Sequence, residues 1–171
     1  MSGSKKANHF LKECMADALI GLMKTKDYSK ITINEIALSA GVNRSTWFRK
    51  FGEKGEALSF KLVRLWYRWM ESRGKGDYKR YTLENAEDFF RFCHAQRELL
   101  DLIMRAELQT VIYEAFYEIV VPQFETDTAE RYQGRFYSYG LFGIFGEWSH
   151  RGYRETPEEL VEMFHAMIDY K

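Results

Sequence analysis

Residues 31–58 read ITINEIALSAGVNRSTWFRKFGEKGEAL, and this stretch decides the fold. It contains Thr32, followed three positions later by Glu35. That spacing is typical of a capping box, in which the hydroxyl and the carboxylate satisfy free backbone amides at the start of a helix. A short helix is therefore predicted over residues 33–39.

A glycine and a second cap residue follow this helix. Gly41 stands where the chain must turn sharply, because glycine reaches positive φ at little cost. Asn43 then predicts the start of another short helix over residues 44–50, with its side chain as the cap. Two short helices joined by a turn with glycine form a helix-turn-helix, whose second helix enters the major groove of DNA.

The remaining sequence also has helical character. Apolar residues recur at helical spacing and no segment has a convincing strand pattern, so an all-α fold is predicted. Further helices are predicted over residues 6–25, 55–72, 83–94, 97–105, 107–121, 128–151 and 157–170. Thr156, Pro157 and Glu159 give the last helix a cap, a first-turn proline and the glutamate of a capping box.

The chain is predicted to divide into three parts. Residues 1–54 form a three-helix DNA-binding head, and residues 55–78 form a connecting helix and linker. Residues 79–171 form a helical body for ligand binding and dimerisation. The clearest linker is RGKGDYK at residues 73–79, where two glycines stand among charged residues.

Charge is distributed unevenly although the formal net charge is +0. Residues 1–70 hold 13 Lys and Arg against 6 Asp and Glu, a balance of +7, and the remaining residues have a balance of −7. Such asymmetry indicates that the basic part meets an anionic partner. The alternative is an ordinary scatter of surface charges.

Several function classes are not favoured. Cys14 and Cys93 have neither the spacing of a zinc site nor that of a disulfide framework, and they fit a reducing cytoplasm. The most apolar run, residues 137–148, is far short of the roughly 20 residues of a membrane span. His94 and Glu98 could share a metal ion, but two side chains rarely suffice. We therefore expect a cytoplasmic protein with no membrane, metal or cofactor site and no catalytic activity.

Residues 8–60 resemble the DNA-binding head of the tetracycline-repressor (TetR) family of bacterial transcription regulators. The matching residues are Ile31, Thr32, Ile36, Ala37, Ala40, Gly41, Val42, Thr46, Trp47, Phe48, Phe51, Lys54 and Leu58. A later segment, FYSYGLFGIFGEWSHRGYRETPEEL, resembles the C-terminal region of a TetR branch that includes activators of dihydroxyacetone metabolism.

The resemblance implies a DNA-contacting set. Phosphates are expected to meet Thr32, Lys50 and Lys54. The residues near base edges or the adjoining backbone are expected to be Asn34, Asn43, Arg44, Ser45 and Thr46, with Phe48 and Arg49 completing the set. Arg and Asn suit this place because each can form two hydrogen bonds to a purine. Phe48 departs from the family pattern, since many members have a tyrosine there whose hydroxyl reaches a phosphate. The alternative for the basic side chains is a solvated helix face.

Glycines and aromatics dominate the predicted body. Each glycine within a helix costs about 1 kcal/mol relative to alanine, which favours a close helix approach in compensation. The last two helices are therefore predicted to pair with those of a second copy, although packing within one subunit is the alternative. The expected interface residues are Gly140, Gly143, Phe145, Trp148, Leu160, Phe164 and Ile168.

A pocket for a small-molecule effector is the other feature expected of the body. Buried tyrosines need partners for their hydroxyls, and a ligand could provide them. The candidate residues are Phe89, Tyr113, Phe116, Tyr117, Phe136, Tyr137 and Tyr139. The alternative is that these rings are core.

The sequence thus predicts a sequence-specific DNA-binding transcriptional regulator that acts as a homodimer on an inverted repeat. We expect repression, although activation stays open because the sign depends on where the operator lies. Release by a small molecule is a further expectation. The competing hypothesis is a ligand-free co-activator or protein-interaction module that needs a partner to bind DNA.

Overall fold

The computed structural model of the protein describes residues 3–75, 85–120 and 127–168. Within these ranges the chain forms nine α-helices, one short 3-10 turn and no strand, which confirms the predicted all-α fold. The helices are α1 Gly3–Met23, α2 Ile33–Ser39, α3 Arg44–Phe48, α4 Lys54–Ser72, α5 Ala86–Ala95, α6 Arg97–Arg105, α7 Gln109–Val120, α8 Thr128–His150 and α9 Pro157–Ile168. Residues 28–30 form the 3-10 turn η1 between α1 and α2.

The capping box that starts α2 is present as predicted. The Thr32 hydroxyl accepts a hydrogen bond from the Glu35 amide at 3.3 Å, and the Thr32 amide donates to the Glu35 carboxylate at 2.9 Å. Lys26 donates to the same carboxylate at 2.6 Å. The Lys26 hydrogen bond and those of Thr32 lower the pKa of Glu35 to about 2. Gly41 has φ 67°, so the turn after α2 uses the glycine as expected.

Asn43 corrects one part of the prediction. It occupies the N-cap position of α3 with an extended backbone, but its side chain makes no capping hydrogen bond. Helix α3 also ends at Phe48, two residues before the predicted end. Its last turn is closed instead by Lys50 and Phe51, whose amides both donate to the Trp47 carbonyl at 2.8 Å. Asn43 therefore keeps its amide group for solvent or a partner.

Helix α4 joins the head to the body. It packs against α1 on one side and against α7 on the other, and Trp66 is buried at 1% exposure. Only the first part of the predicted linker at 73–79 lies within the described residues. There Gly74 has φ 72°, and both Arg73 and Lys75 form ion pairs with Asp88 at the start of α5.

The helices of the body pack in pairs. Helix α7 contacts α8, α6 contacts α7, and α5 contacts α9. The capping box predicted for the last helix is present, since the Thr156 hydroxyl accepts from the Glu159 amide at 3.2 Å and the Thr156 amide donates to the Glu159 carboxylate at 2.7 Å. The helix predicted over residues 107–121 begins at Gln109 instead, because Glu107 has left-handed backbone geometry with φ 58°.

One hydrophobic core runs from the head into the body. Edge-to-face aromatic contacts carry it across α4, α5, α7 and α8: the ring centroids of Trp66 and Phe92 are 5.4 Å apart, those of Phe89 and Phe116 are 4.8 Å apart, and those of Phe116 and Phe145 are 5.6 Å apart. Head and body therefore share packing through α4, and the boundaries at residues 54 and 78 stay predictions.

Candidate nucleic-acid interface

One face of α3 packs against the hydrophobic core of the head. Trp47 is fully buried, and Phe51 just after the helix is 3% exposed. Their rings contact each other with centroids 5.2 Å apart. Ile36 and Ala37 of α2 are also buried, whereas Val42 is half-buried against the same core. The opposite face of α3 is left for solvent, as a recognition helix requires.

Most of the predicted DNA-contacting residues lie on the surface. The exposed members are Thr32, Asn34, Asn43, Arg44, Ser45, Phe48 and Arg49. The three others have a different environment: Thr46 is 9% exposed, and Lys50 and Lys54 are half-buried. These three are described separately below because their contacts change what they can do.

Arg44 and Phe48 form a pair on the outer face of α3. They are separated by one helical turn, and the Arg44 guanidinium carbon lies 5.2 Å from the centroid of the Phe48 ring. Phe48 is 54% exposed. A guanidinium over an aromatic face is attracted by the electron-rich ring, so Phe48 restricts the orientations that Arg44 samples.

Thr46 and Arg49 form a second pair. The Arg49 guanidinium donates a hydrogen bond to the Thr46 hydroxyl at 3.1 Å. Because Thr46 is buried, its hydroxyl is better placed to orient Arg49 than to meet a base itself. Of the two, Arg49 is the exposed group.

Lys50 and Lys54 hold the head together. The Lys50 ammonium donates to the side-chain oxygen of Asn8 on α1, a contact that our sequence prediction did not include. The Lys54 ammonium donates to the carbonyl oxygens of Tyr28 at 2.6 Å and Ile31 at 2.8 Å, and it lies 4.2 Å from the centroid of the Tyr28 ring. Burial lowers the pKa of Lys54. Both lysines thus have intramolecular hydrogen-bond partners.

The ion pairs of the head leave the exposed face of α3 positive. Glu13 pairs with Arg64 and Arg68 of α4, and Lys26 pairs with Glu35. Among the residues that the structure describes, no carboxylate forms an ion pair with Arg44, Arg49 or Lys50. An uncompensated cationic face of this kind attracts polyanions.

The predicted ligand residues differ in their environments. Phe89 and Phe116 are fully buried in the core, whereas Phe136 is 73% exposed. The tyrosines Tyr113 and Tyr139 stack with ring centroids 4.0 Å apart. None of the seven residues lines the cleft at α1 and α6 or the groove between α8 and α9, the two cavities described below.

Arg135 completes the tyrosine cluster. Its guanidinium donates to the Tyr113 hydroxyl at 2.7 Å, and its guanidinium carbon lies 3.6 Å from the centroid of the Tyr117 ring. Burial raises the pKa of Tyr113 in spite of the Arg135 hydrogen bond, which lowers it. The cluster therefore supplies its own cation and hydrogen-bond donor, and a ligand is not needed to satisfy the Tyr113 hydroxyl.

The predicted dimer residues fall into two groups. Phe145, Trp148, Leu160 and Phe164 are at most 6% exposed within a single subunit, so they belong to its core. By contrast, Gly140 and Gly143 are exposed, and a methyl group added at either would meet no atom within 4 Å. The backbone of Ile168 ends α9, and its side chain lies outside the described residues.

Large apolar side chains surround these two glycines in sequence and line the neighbouring helix. Tyr132 is 75% exposed, Phe136 73% and Tyr139 60% on α8, and Met163 is 41% and Met167 64% exposed on α9. The methionines and Gly143 also line a groove of about 420 Å³ between α8 and α9. The sequence prediction missed both methionines, although their spacing along α9 identifies one face of the helix.

The described residues contain no cluster of three or more His, Cys, Asp or Glu that could bind a metal ion. His94 stacks on Trp148 with ring centroids 5.8 Å apart. No described helix has both the length and the apolar composition required to cross a membrane.

Comparison with known proteins identifies the family. A TetR family model, described as a transcriptional regulator C-terminal region, matches residues 77–170. The match thus covers more than half of the 171 residues. No curated protein matches the chain. The matched range covers all but the last residue of the predicted body, and it complements the resemblance carried by the helix-turn-helix. The chain therefore belongs to the TetR family of transcriptional regulators.

Proposed function

We propose that this regulator binds DNA through α3 as a homodimer and represses transcription from an inverted-repeat operator. The exposed face of α3 carries the proposal, because Arg44 and Arg49 project there without a carboxylate partner among the described residues. A capped α2, a glycine turn at φ 67° and a buried Trp47 fix that face on the head.

The residues of the interface divide by their contacts. Arg44 is the proposed base reader, since a guanidinium can donate two hydrogen bonds to guanine. Asn34, Asn43 and Ser45 are exposed beside it and can meet base edges or the backbone. Arg49, oriented by Thr46, is proposed to meet a phosphate. Phosphate contacts fix the register of a protein on DNA, whereas base contacts set its sequence preference.

The lysines and Thr32 have dual roles in this proposal. Lys50 can bridge α1 and a phosphate, because an ammonium has three donors and Asn8 takes one. Lys54 gives two donors to carbonyl oxygens, so its first contribution is to hold the start of α4 against η1. Thr32 is exposed at the start of α2, but its hydroxyl already bonds to Glu35.

The dimer is proposed to form through the exposed apolar face of α8 and α9. Gly140 and Gly143 would let a partner helix approach closely, while Phe136, Met163 and Met167 would supply the apolar area. A two-fold axis at this face would present two copies of α3. Half-sites about 34–36 Å apart, or a multiple of that spacing, would then be contacted together.

Release by a small-molecule effector is part of the proposed mode of regulation. The C-terminal segment resembles that of a TetR branch with activators of dihydroxyacetone metabolism, and we propose that the protein is related to this branch. Activation of transcription is therefore the alternative to repression. A second candidate function, DNA binding only with a partner protein, is favoured by one observation. Leu38 of α2 is 83% exposed and would offer such a partner an apolar contact on the head.

Selection from random duplexes tests the main proposal. The purified protein is mixed with a pool of duplexes at two salt concentrations, and the retained DNA is sequenced. We expect an enriched inverted repeat whose retention falls steeply with salt, because phosphate contacts release counterions. A folded dimer that enriches no sequence would refute the proposal and favour the partner-dependent function.

The interface is tested separately with Arg44→Ala. Loss of a base reader is expected to cost about 1–3 kcal/mol on the selected operator and to relax preference at one base pair. Equal losses on operator and scrambled duplexes would remove Arg44 from the base-reading residues. Arg97→Ala, which removes an exposed arginine at the start of α6, is the matched control.

A further inference from the structure

Head and body meet at a cleft of about 710 Å³. The end of α1 and the segment leading through η1 form one side, and the end of α6 with the turn before α7 forms the other. This volume lies in the range of roughly 300–1,000 Å³ that is usual for small-molecule sites. The cleft is separate from the aromatic residues Phe89, Tyr113 and Phe116 of the body, none of which lines it.

The cleft combines an apolar wall with two cations. Met23 is 7% exposed, and Leu102 and Ala106 are half-buried against the core. Lys24 on the head side and Arg105 on the body side are exposed, and neither forms an ion pair with a described residue. The cations on both sides of the junction therefore have no ion-pair partner among the described residues.

The other charged groups of the lining are already compensated, with one exception. Lys26 pairs with Glu35 at 2.6 Å, and Asp27 pairs with Lys30 at 2.8 Å. Glu107 is the exception, since this exposed carboxylate has no ion pair with a described residue. Among the described lining groups, the uncompensated charge is thus one positive unit, from Lys24 and Arg105 against Glu107.

We propose that this cleft is an effector site for a small organic anion with an apolar body, such as an aromatic or aliphatic carboxylate. The carboxylate would accept charge-assisted hydrogen bonds from Lys24 and Arg105, and the apolar part would lie on Met23, Leu102 and Ala106. Such a ligand bridges head and body. Its effect on DNA affinity rests on the proposed function, whereas its binding does not.

Tyr28 gives the cleft a direct link to the recognition region. This residue lines the cleft, its carbonyl accepts from the Lys54 ammonium at 2.6 Å, and its ring lies under the same ammonium at 4.2 Å. Lys54 begins α4 and also bonds to Ile31 just before α2. A ligand that fixes Tyr28 therefore acts on the segments at both ends of the helix-turn-helix. Coupling of this kind is reciprocal, so operator DNA would change ligand affinity by the same factor.

Titration calorimetry with benzoate tests the site on the whole protein. Benzamide, which has the same ring and no charge, is the control ligand. Lys24→Gln and Arg105→Gln are each expected to weaken benzoate binding about tenfold, since each removes a charge-assisted hydrogen bond. Glu107→Gln is expected to strengthen it about two- to threefold by removing a like charge, which a merely disrupted cleft would not do. Arg97→Gln, at the other end of α6, should leave it unchanged.

Several outcomes would overturn the proposal. Equal affinity for benzamide and benzoate would remove the anion preference, and unchanged binding in both Lys24→Gln and Arg105→Gln would remove the site. Thermal unfolding of each variant shows whether it is folded before it is titrated. Saturating benzoate is expected to change the dissociation constant of the wild-type protein for the selected operator. It should leave that of the Lys24→Gln/Arg105→Gln double variant unchanged.

The two proposals fail separately. A protein that binds benzoate as described and enriches no duplex keeps the effector site and loses the proposed DNA binding. A protein that selects an operator but does not bind benzoate in this cleft keeps the DNA proposal and loses the site. No change of operator affinity at saturating benzoate would refute the regulatory link through Tyr28.

Discussion

The pair formed by Arg44 and Phe48 gives the sharpest test of how α3 reads DNA. Replacing Phe48 by leucine keeps an apolar side chain on the helix and removes the aromatic face. The Arg44 guanidinium carbon lies 5.2 Å from the ring centroid, and Phe48 is 54% exposed. At exposed sites a contact of this kind contributes about 0.5–1 kcal/mol. If Arg44 reads a base, Phe48→Leu should therefore weaken operator binding about two- to fivefold.

A double-mutant cycle isolates this contribution from any contact of Phe48 with DNA. Wild type, Arg44→Ala, Phe48→Leu and the double variant are titrated against labelled operator by fluorescence anisotropy at one salt concentration. The loss caused by Phe48→Leu should disappear in the Arg44→Ala background. Phe10→Leu is the matched control, because Phe10 is a 70% exposed phenylalanine on α1.

The same four proteins also report on specificity. On a duplex changed at the base pair that Arg44 reads, Phe48→Leu should lose much less affinity than on the operator. Phe48→Tyr should retain the coupling, since the tyrosine ring offers the same face. Losses that add within about 0.3 kcal/mol in the cycle would refute the idea that Phe48 orients Arg44.

Three further predictions concern the dimer, the backbone and pH. Gly143→Arg should give a folded monomer in analytical ultracentrifugation with unchanged helicity, because a Cβ atom at Gly143 would meet nothing within 4 Å beyond the backbone of its own helix. A variant that stays dimeric would exclude this face. Glu107→Gly should raise stability by about 1 kcal/mol and the midpoint of thermal unfolding by about 2–4 °C, since Glu107 has φ 58°; an unchanged midpoint would show that the turn is not strained. The pKa of Glu35 is about 2 against an ordinary 4.5, so its stabilisation is present above pH 4.5 and is lost as pH falls through about 2. Measured by urea unfolding, the free energy of unfolding should therefore fall less between pH 4.5 and about 2 in Glu35→Gln than in the wild type. Equal falls in both proteins would show that Glu35 is not the group responsible.

The parts of the fold that were predictable from sequence depend on local contacts. The start of α2 follows from Thr32 and Glu35, whose side chains and amides meet within one helical turn. The start of α9 follows in the same way from Thr156 and Glu159. Gly41 identified the turn because glycine, which has no Cβ atom, adopts the observed positive φ of 67° at little cost. Each signal lies within a few residues of the structure that it produces.

The contacts that could not be predicted from sequence depend on distant partners. Asn8 is 42 positions from Lys50, and Tyr28 is 26 positions from Lys54, so nothing near either lysine in the sequence announces its partner. The same limit applies to the aromatic residues of the body. Phe116 is fully buried and Phe136 is 73% exposed, although both stand in aromatic-rich helices with apolar residues on more than one face. The spacing of apolar residues identifies such helices, but it does not show which face of each helix is buried.

The contacts of α4 restrict where a regulatory signal can enter. At its start, Lys54 is bonded to the carbonyl oxygens of Tyr28 and Ile31, and further along Arg64 and Arg68 pair with the buried Glu13 of α1. Burial opposes the charge on Glu13, yet these two arginines prevail and lower its pKa. The charged partners hold α4 to the head at several points along its length.

The contact of α4 with the body has a different character. A methyl group added at Gly55 would lie 3.1 Å from the Cγ2 atom of Val111 at the start of α7, so the two helices approach closely there. The ion pairs of α4 among the described residues join it to α1, and none joins it to α7. Apolar surfaces slide more readily than hydrogen-bonded charges separate, since each departing charge leaves a buried partner unsatisfied. The head and α4 should therefore move together against α7. The cleft between head and body, which includes the turn between α6 and α7, is positioned to control that movement. Disulfide capture between cysteines placed at Gly55 and Val111 would abolish any effect of benzoate on operator affinity if this is the moving boundary, whereas an undiminished effect would place the movement elsewhere.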